Sequence, residues 1–313
     1  MTAAVAKKLA DPGVTIIARP IATVPLFAAT SSISLAVRGA TQINVAGTIL
    51  TWAETTEIAI KSALIPGGDY VVVVEPDTTL AVDIWMADEL RPVVGGFHHA
   101  PGGNASARKG GDDVPAINPC SIWDVGFRPA CSDPRGMALV VNAPGLTWLT
   151  PFWVDIYPLN VDHLKLGTSA FGAEMADGDR QRPLGADGKP VKKLDYPTAK
   201  AIVGAHGKQL LSQFEFYAAA YGVTEKTAAS TKPTLTGLDA PRTSHCGMMQ
   251  AAGNIYVWGH DADPDNPRAS FFGGNWDAGD WAGSRRAGVG SWPGDSYGWL
   301  GARGRSDHLN PDA

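Results

Sequence analysis

Between residues 30 and 95 the apolar positions come in short runs that alternate with polar ones or cluster β-branched residues. "SISLAVRG", "TQINVAGTILTW", "TEIAIKSALI" and "DYVVVVE" therefore predict strands, punctuated by Gly, Pro and Asp. "LIPGGDYVVVV" joins a Pro-Gly-Gly turn to a strand of buried type. Together they predict a small β-sandwich-like domain over 29–95. Residues 1–28 are expected to be an N-terminal arm, or a strand that pairs with other subunits. At Gly95 the periodicity stops. "GGFHHAPGGNASARKGGDDVPAINP" is glycine-rich and aperiodic, so 96–120 is expected to be a connector loop.

Strand character returns in "ALVVNAPGLTWLTPFWVDIYPLN". Helical spacing appears only after it. Pro197 marks a start, Ala199, Ile202, Val203 and His206 fall at i, i+3, i+4 and i+7, and Gly207 supplies a stop. A second helix carries a capping box in Ser212 and Glu215, staple residues in Leu211 and Phe216, and Gly222 as its end. Two short helices among strands and loops give an α+β class, with 121–313 as the second domain. The length of 313 residues agrees with two domains.

Composition narrows the function classes. Net charge is −5 and basic stretches such as Arg285–Arg286 are short, which gives no support to nucleic-acid binding. No apolar run reaches the length of a bilayer span, so no membrane insertion is expected. Lys7 and Lys8 are followed by Asp11, Pro12 and Gly13, which interrupts the apolar core a Sec signal needs. Three cysteines, Cys120, Cys131 and Cys246, suit free thiols better than a disulfide framework.

Candidate chemistry is sparse. His98 and His99 could ligate a metal, but adjacent residues point different ways and no carboxylate or Cys stands at ligand spacing. Asp261, Asp263 and Asp265 alternate like the start of a calcium loop. The sixth and twelfth positions are Asn266 and Phe272 rather than Gly and Glu, and a Pro-containing turn fits better. His245–Cys246 is no nucleophile–base pair by adjacency alone. "GVGSWPG" lacks the preceding strand and following helix of a phosphate loop. No metal, cofactor or catalytic residue is expected.

The chemistry that stands out is the segment 271–304, "FFGGNWDAGDWAGSRRAGVGSWPGDSYGWLGARG". Ten of its residues are Gly and four are Trp. Asp277, Asp280, Arg286 and Asp295 among the rings exclude an ordinary core strand, and the rings exclude a disordered tail. Trp and Tyr with Ser, Asn, Asp and Gly suit a recognition surface: rigid rings give contact area at little entropic cost, and small polar groups give adaptable hydrogen bonds. A glycine-rich wrap whose rings fill the core is the competing reading.

Four stretches then carry a resemblance. "LLSQFEFYAAAYG", "GMMQAAGNIYVWGHD", "FFGGNW" and "GARGRSDHL" occur in the order found in the C-type lectin fold of the formylglycine-generating-enzyme type. The ending, "FGGNW…AGSR…GARGRSDHL", resembles the variable proteins of diversity-generating retroelements, a family that includes phage tail-fibre receptor-binding proteins. The resemblance implies a scaffold that holds still while codons of the last stretch are rewritten. It implies that Asn275, Asp277, Gly279, Trp281, Arg286, Gly288, Gly290, Ser291, Tyr297, Gly298 and Trp299 are the variable, ligand-contacting positions. Trp276, Arg285, Trp292, Gly301 and Arg303 would then be framework. It further implies a protein or glycan receptor on a cell surface, a homotrimer, and a virion or cell-associated location. Two alternatives stay open. One is an oxidoreductase of the same superfamily, although Gly259 stands where its Cys is expected and no Cys follows Cys246. The other is a structural fibre protein.

Overall fold

The computed structural model describes residues 13–86, 89–102, 114–141, 143–260 and 268–309. Asp261, Asp263 and Asp265 lie outside the described residues.

The first unit is all β. Strands Val14–Ala18, Thr41–Val45 and Thr48–Trp52 form an antiparallel sheet. Ala46 and Gly47 turn the hairpin at φ 49° and 93°, the positive pair that a two-residue turn of matching twist requires. A small sheet joins Phe27–Ala29, Leu35–Val37 and Thr56–Glu57. The main sheet has the order 116–117, 93–100, 69–74, 80–84, 59–60, with 123–124 also on the Val93–Ala100 strand.

The run "DYVVVV" forms the strand Asp69–Val74, and both of its faces are covered. Tyr70, Val72 and Val74 join Phe27, Leu35, Ile43, Val82 and Phe97 in the core of the first unit. Val71 and Val73 point the other way, into a cluster with Trp123, Phe127, Met137 and Trp153. Period 2 thus puts alternate valines in two cores, which is why the run carries no polar alternation. The second cluster joins the two units.

Two boundaries differ from the sequence reading. The expected arm over 1–28 contributes a strand, Val14–Ala18, which pairs within the chain on Thr41–Val45. Arg19 then fastens it by a bidentate pair to buried Asp124 at 2.7 and 2.9 Å. The expected connector 96–120 begins inside Val93–Ala100, a strand buried throughout. Its glycines are strand residues because their neighbours fill the side-chain space. A Cβ on Gly95 would lie 2.3 Å from the Trp123 carbonyl and 2.6 Å from the Phe27 ring; on Gly96 it would lie 2.4 Å from the Tyr70 carbonyl.

The second unit combines two sheets with short helices. One sheet runs 128–129, 304–309, 152–155, 137–140, with 209–210 also on the closing strand Gly304–Leu309. The other runs 287–291, 269–272, 256–259, 300–301. Helix Tyr196–Ala205 buries Ala199, Ile202 and Val203, starts at an Asp195 cap with Pro197 in its first turn, and stops before Gly207 at φ 70°. Helix Gln213–Ala219 has the complete capping box of Ser212 and Glu215, and Leu211 and Phe216 are fully buried. Phe216 stacks on Phe272, which ties this helix to the strand that leads into the aromatic segment.

Candidate ligand-binding face

The glycine-rich ending is held by backbone and buried groups. Gly273 N–H donates to the Arg286 carbonyl and Gly283 N–H to the Gly273 carbonyl, both at 3.0 Å. Gly273 and Gly274 take φ of 96° and 90°, and a Cβ on Gly274 would lie 2.8 Å from Ala282. The Glu225 carboxylate accepts from the Ser284 N–H and hydroxyl, and Lys226 N–H donates to the Ala282 carbonyl. Farther on, Gly178 N–H donates to the Tyr297 carbonyl, while the Ser296 hydroxyl donates to the Gly178 carbonyl and accepts from Leu194 N–H. Arg303 is fully buried, and its guanidinium donates to the carbonyls of Asp155 and Ile156 at 2.7 Å and Met249 at 2.8 Å. Burial pulls its pKa down to about 10, so it stays cationic at neutral pH.

On this frame the side chains form a connected surface. Trp281 is 68% exposed, and the Arg286 guanidinium lies 5.3 Å from its ring centre. Arg286 Nε also donates to the Tyr256 hydroxyl at 3.3 Å. Tyr256 packs edge-on against Phe271 and Trp299, and Trp299 stacks on Tyr297 with centroids 4.8 Å apart and planes 10° apart. Trp281, Arg286, Trp299 and Tyr297 are thereby linked by contacts through Tyr256. Gly298 stands between Tyr297 and Trp299 in the chain, and a Cβ there would lie 3.3 Å from Lys232 Nζ. Lys232 in turn sits over the Trp276 ring and pairs with Asp177. Asp277 and Gly279 are exposed on the turn between Trp276 and Trp281, and Gly279 takes φ 55° with open space around it. Asn275 is half-buried beside Asn254.

The remaining expected positions run along the edge strand Ala287–Ser291. Gly290 is exposed with open space around it, and Ser291 pairs in register with Ala269. Gly288 stands opposite Phe271, whose ring would lie 2.5 Å from a Cβ. A side chain there must displace that ring. The five residues expected as framework divide: Trp276 is half-buried and Arg285 exposed, and the other three differ among themselves. Gly301 and Arg303 are buried, but Trp292 is 60% exposed with Arg268 stacked 3.4 Å from its ring centre. Trp292 therefore presents a ring to solvent instead of filling the core. Sequence reasoning missed Tyr256, Phe271 and Lys232 as supports of the face. The alternation of "NIYVW" was the available signal: it points Tyr256 and Trp258 to the side opposite Val257.

The other candidate groups have structural surroundings. His98, in the buried strand, contacts Asp69 at 3.0 Å and the Tyr157 hydroxyl at 2.9 Å, bridging the two units. Burial raises the Cys120 thiol to about 12 and also raises Cys131 and Cys246. At position 259 a Cβ would lie 2.1 Å from the Phe272 ring, so the cysteine of the oxidoreductase alternative has no room there. Among the described residues no three His, Cys, Asp or Glu side chains gather as a metal-binding group, and no helix is long and apolar enough to cross a membrane.

Comparison with known proteins agrees with this architecture. The family model described as Mtd second domain matches residues 25–124. The tail fiber receptor-binding protein of Bordetella phage BPP-1 is 34% identical over 322 residues, covering 90% of this chain and 82% of that relative. The chain belongs to the major tropism determinant family. Solved structures of this family superpose closely. The I1 variant of the Major Tropism Determinant gives a TM-score of 0.86 at 32% identity, covering 95% of this chain and 86% of the other. The U1 variant gives 0.85 at the same identity and coverage. The second unit thus has the C-type lectin fold of the major tropism determinants, preceded by a β-rich unit.

Proposed function

We propose that this chain is a receptor-binding protein of a phage tail fibre, located in the virion. Its C-type lectin unit grips a protein or glycan receptor on a bacterial surface. The contacts come from the face built on Asn275, Asp277, Gly279, Trp281, Arg286, Gly288, Gly290, Ser291, Tyr297, Gly298 and Trp299. A retroelement rewrites these positions while the buried frame stays constant. The observation that carries the reading is the cluster Trp281–Arg286–Tyr256–Trp299–Tyr297. It couples exposed rings to the buried support Tyr256, the composition of a binding hot spot, on a backbone whose bonds do not depend on those side chains. The 34% identity to a tail-fibre receptor-binding protein supports the same reading.

The test is capture of bacterial cells by the labelled chain. W281A/Y297A is expected to weaken capture roughly tenfold or more, with an unchanged melting temperature. Unfolding of the variant would place those rings in the core and overturn the assignment. In the encoding DNA, a near-copy of the codons for 271–304 that differs mainly at adenines is expected beside a reverse transcriptase gene.

A further inference from the structure

A cleft of about 470 Å³, the size of a small-ligand site, is lined by Glu174, Arg180, Gln181, Lys232, Thr234 and Leu235. None of these residues lies in the segment 271–304. The cleft wall is fixed from beneath. One oxygen of the buried Asp177 carboxylate accepts from the N–H groups of Asp179, Arg180 and Gln181 at 2.7, 2.9 and 3.1 Å, and the other pairs with Lys232. The Gln181 side-chain amide donates to the Thr234 carbonyl at 2.9 Å and to Glu174 Oε1 at 3.3 Å. Both partners are acceptors, so Nε2 faces them and Oε1 is left to accept from elsewhere.

The cleft meets the ligand face by contact. A Cβ at Gly298 would lie 3.3 Å from Lys232 Nζ and 3.3 Å from Asp179 Cβ, and the same Nζ lies 5.6 Å from the Trp276 ring centre. Gly178 N–H donates to the Tyr297 carbonyl at 3.1 Å, and the Ser296 hydroxyl donates to the Gly178 carbonyl at 2.7 Å. A group bound in the cleft is therefore next to whatever side chain position 298 carries.

The bonding capacity that the cleft leaves over is mixed. Among the described residues Gln181 Oε1 and Glu174 Oε2 have no partner, and both accept. The remaining Lys232 ammonium protons donate, as does the Arg180 guanidinium, whose side chain is 87% exposed and 3.9 Å from Asp179. Leu235, 55% exposed, adds apolar surface. A sugar hydroxyl both donates and accepts, and a sugar ring has an apolar C–H face, so a saccharide engages all three kinds of group. An anion does not, since Glu174, Asp177 and Asp179 outnumber Lys232 and Arg180. An apolar peptide side chain would cover these donors and acceptors without bonding them, which costs free energy.

We propose that this cleft binds a neutral saccharide unit of the receptor, beside the variable positions. The inference rests on the receptor-binding reading given above and assigns it a glycan ligand. The cleft supplies a sugar contact that survives rewriting of the adjoining face, while position 298 and its neighbours select what extends from that sugar.

The experiment titrates the full-length chain, E174A/R180A and W281A/Y297A calorimetrically with surface polysaccharide extracted from bacteria that the unaltered chain captures. Cell capture and melting temperature are read in parallel. The inference expects the unaltered chain to bind the polysaccharide and E174A/R180A to bind it roughly tenfold or more weakly, at unchanged melting temperature. Raising salt from about 50 to about 500 mM is expected to change the affinity by less than about twofold, because a neutral ligand carries no charge to screen. A steep fall with salt would make the ligand an anion and overturn the inference. Capture of cells without binding of their polysaccharide would make the receptor a protein; this too overturns the inference and leaves the receptor-binding reading intact. Equal polysaccharide binding by E174A/R180A, beside a W281A/Y297A variant defective in capture, would overturn the cleft alone. Normal capture by W281A/Y297A would defeat the reading of the face, and this inference with it. Arg180→Ala alone, at a side chain that is almost wholly exposed, guards against a loss caused by local unfolding: it is expected to keep the melting temperature and to lose part of the affinity.

Discussion

Arg303 and Arg286 belong to the same closing segment and do opposite work. Arg303 is wholly buried, and its two terminal nitrogens donate to main-chain carbonyls at 155–156 and 249–250. Arg286 is half-buried, with its guanidinium at a tyrosine hydroxyl and over a tryptophan ring. The first contact set demands a planar cation at one place; nothing smaller reaches three carbonyls. The second asks little of its side chain. The comparison teaches how a lectin-fold ending can be permissive and rigid together: main-chain bonds and a few buried groups fix the path, and the displayed groups are not needed to hold it.

The largest effect that would sharpen this contrast is at Arg303. Arg303→Met removes the cation and strands buried carbonyls, and should cost about 3–4 kcal/mol of stability, read by urea unfolding. Arg286→Met should change stability by less than about 0.5 kcal/mol. A smaller effect is expected at Glu225, which accepts from the Ser284 N–H and hydroxyl at the base of the loop. Glu225→Ala should cost about 1 kcal/mol, and weaken cell capture through loosening of the loop that carries Arg286.

A smaller, pH-gated effect belongs to the frame. His206 Nε2 and His163 Nδ1 are 2.9 Å apart and buried. Burial, then the neighbouring His163, pulls His206 down from 6.5 to about 4, and burial also lowers His163. Above pH 6.5 both residues are neutral folded or unfolded, and their contribution is fully present. As pH falls below 6.5 the unfolded chain takes protons that the folded chain refuses, so stability declines towards pH 4. Unfolding measured at pH 7, 5.5 and 4.5 should show this slope, and His206→Gln should flatten it. An equal slope in the variant would remove the pair from the account.

Much of the frame was legible in the sequence where local chemistry decides structure. The Ser212–Glu215 capping box and the Ala199, Ile202, Val203 spacing formed as read, since caps and helical periodicity act over a few residues. The buried strand Val93–Ala100 was illegible because its glycines serve partners far away in sequence: Phe27, Tyr70 and Trp123. Composition alone showed a loop. Residues 14–18 hid for a related reason, their partner strand at 41–45 being set by tertiary pairing. In the candidate face, the exposure of the rings at 281 and 297 was readable from the polar residues and glycines that flank them. The crowding of Gly288 by Phe271 was not, because it depends on the register of the edge strand against 269–272, and neither was the exposure of Trp292, which follows that strand.

The division between frame and face can be measured in one library. Asp277, Trp281, Arg286, Ser291 and Tyr297 are randomised together, and melting temperature is read alongside capture of bacterial cells. The account predicts that most members melt within a few degrees of the parent while capture by most is lost. Widespread unfolding across the library, with capture tracking the folded fraction alone, would contradict it.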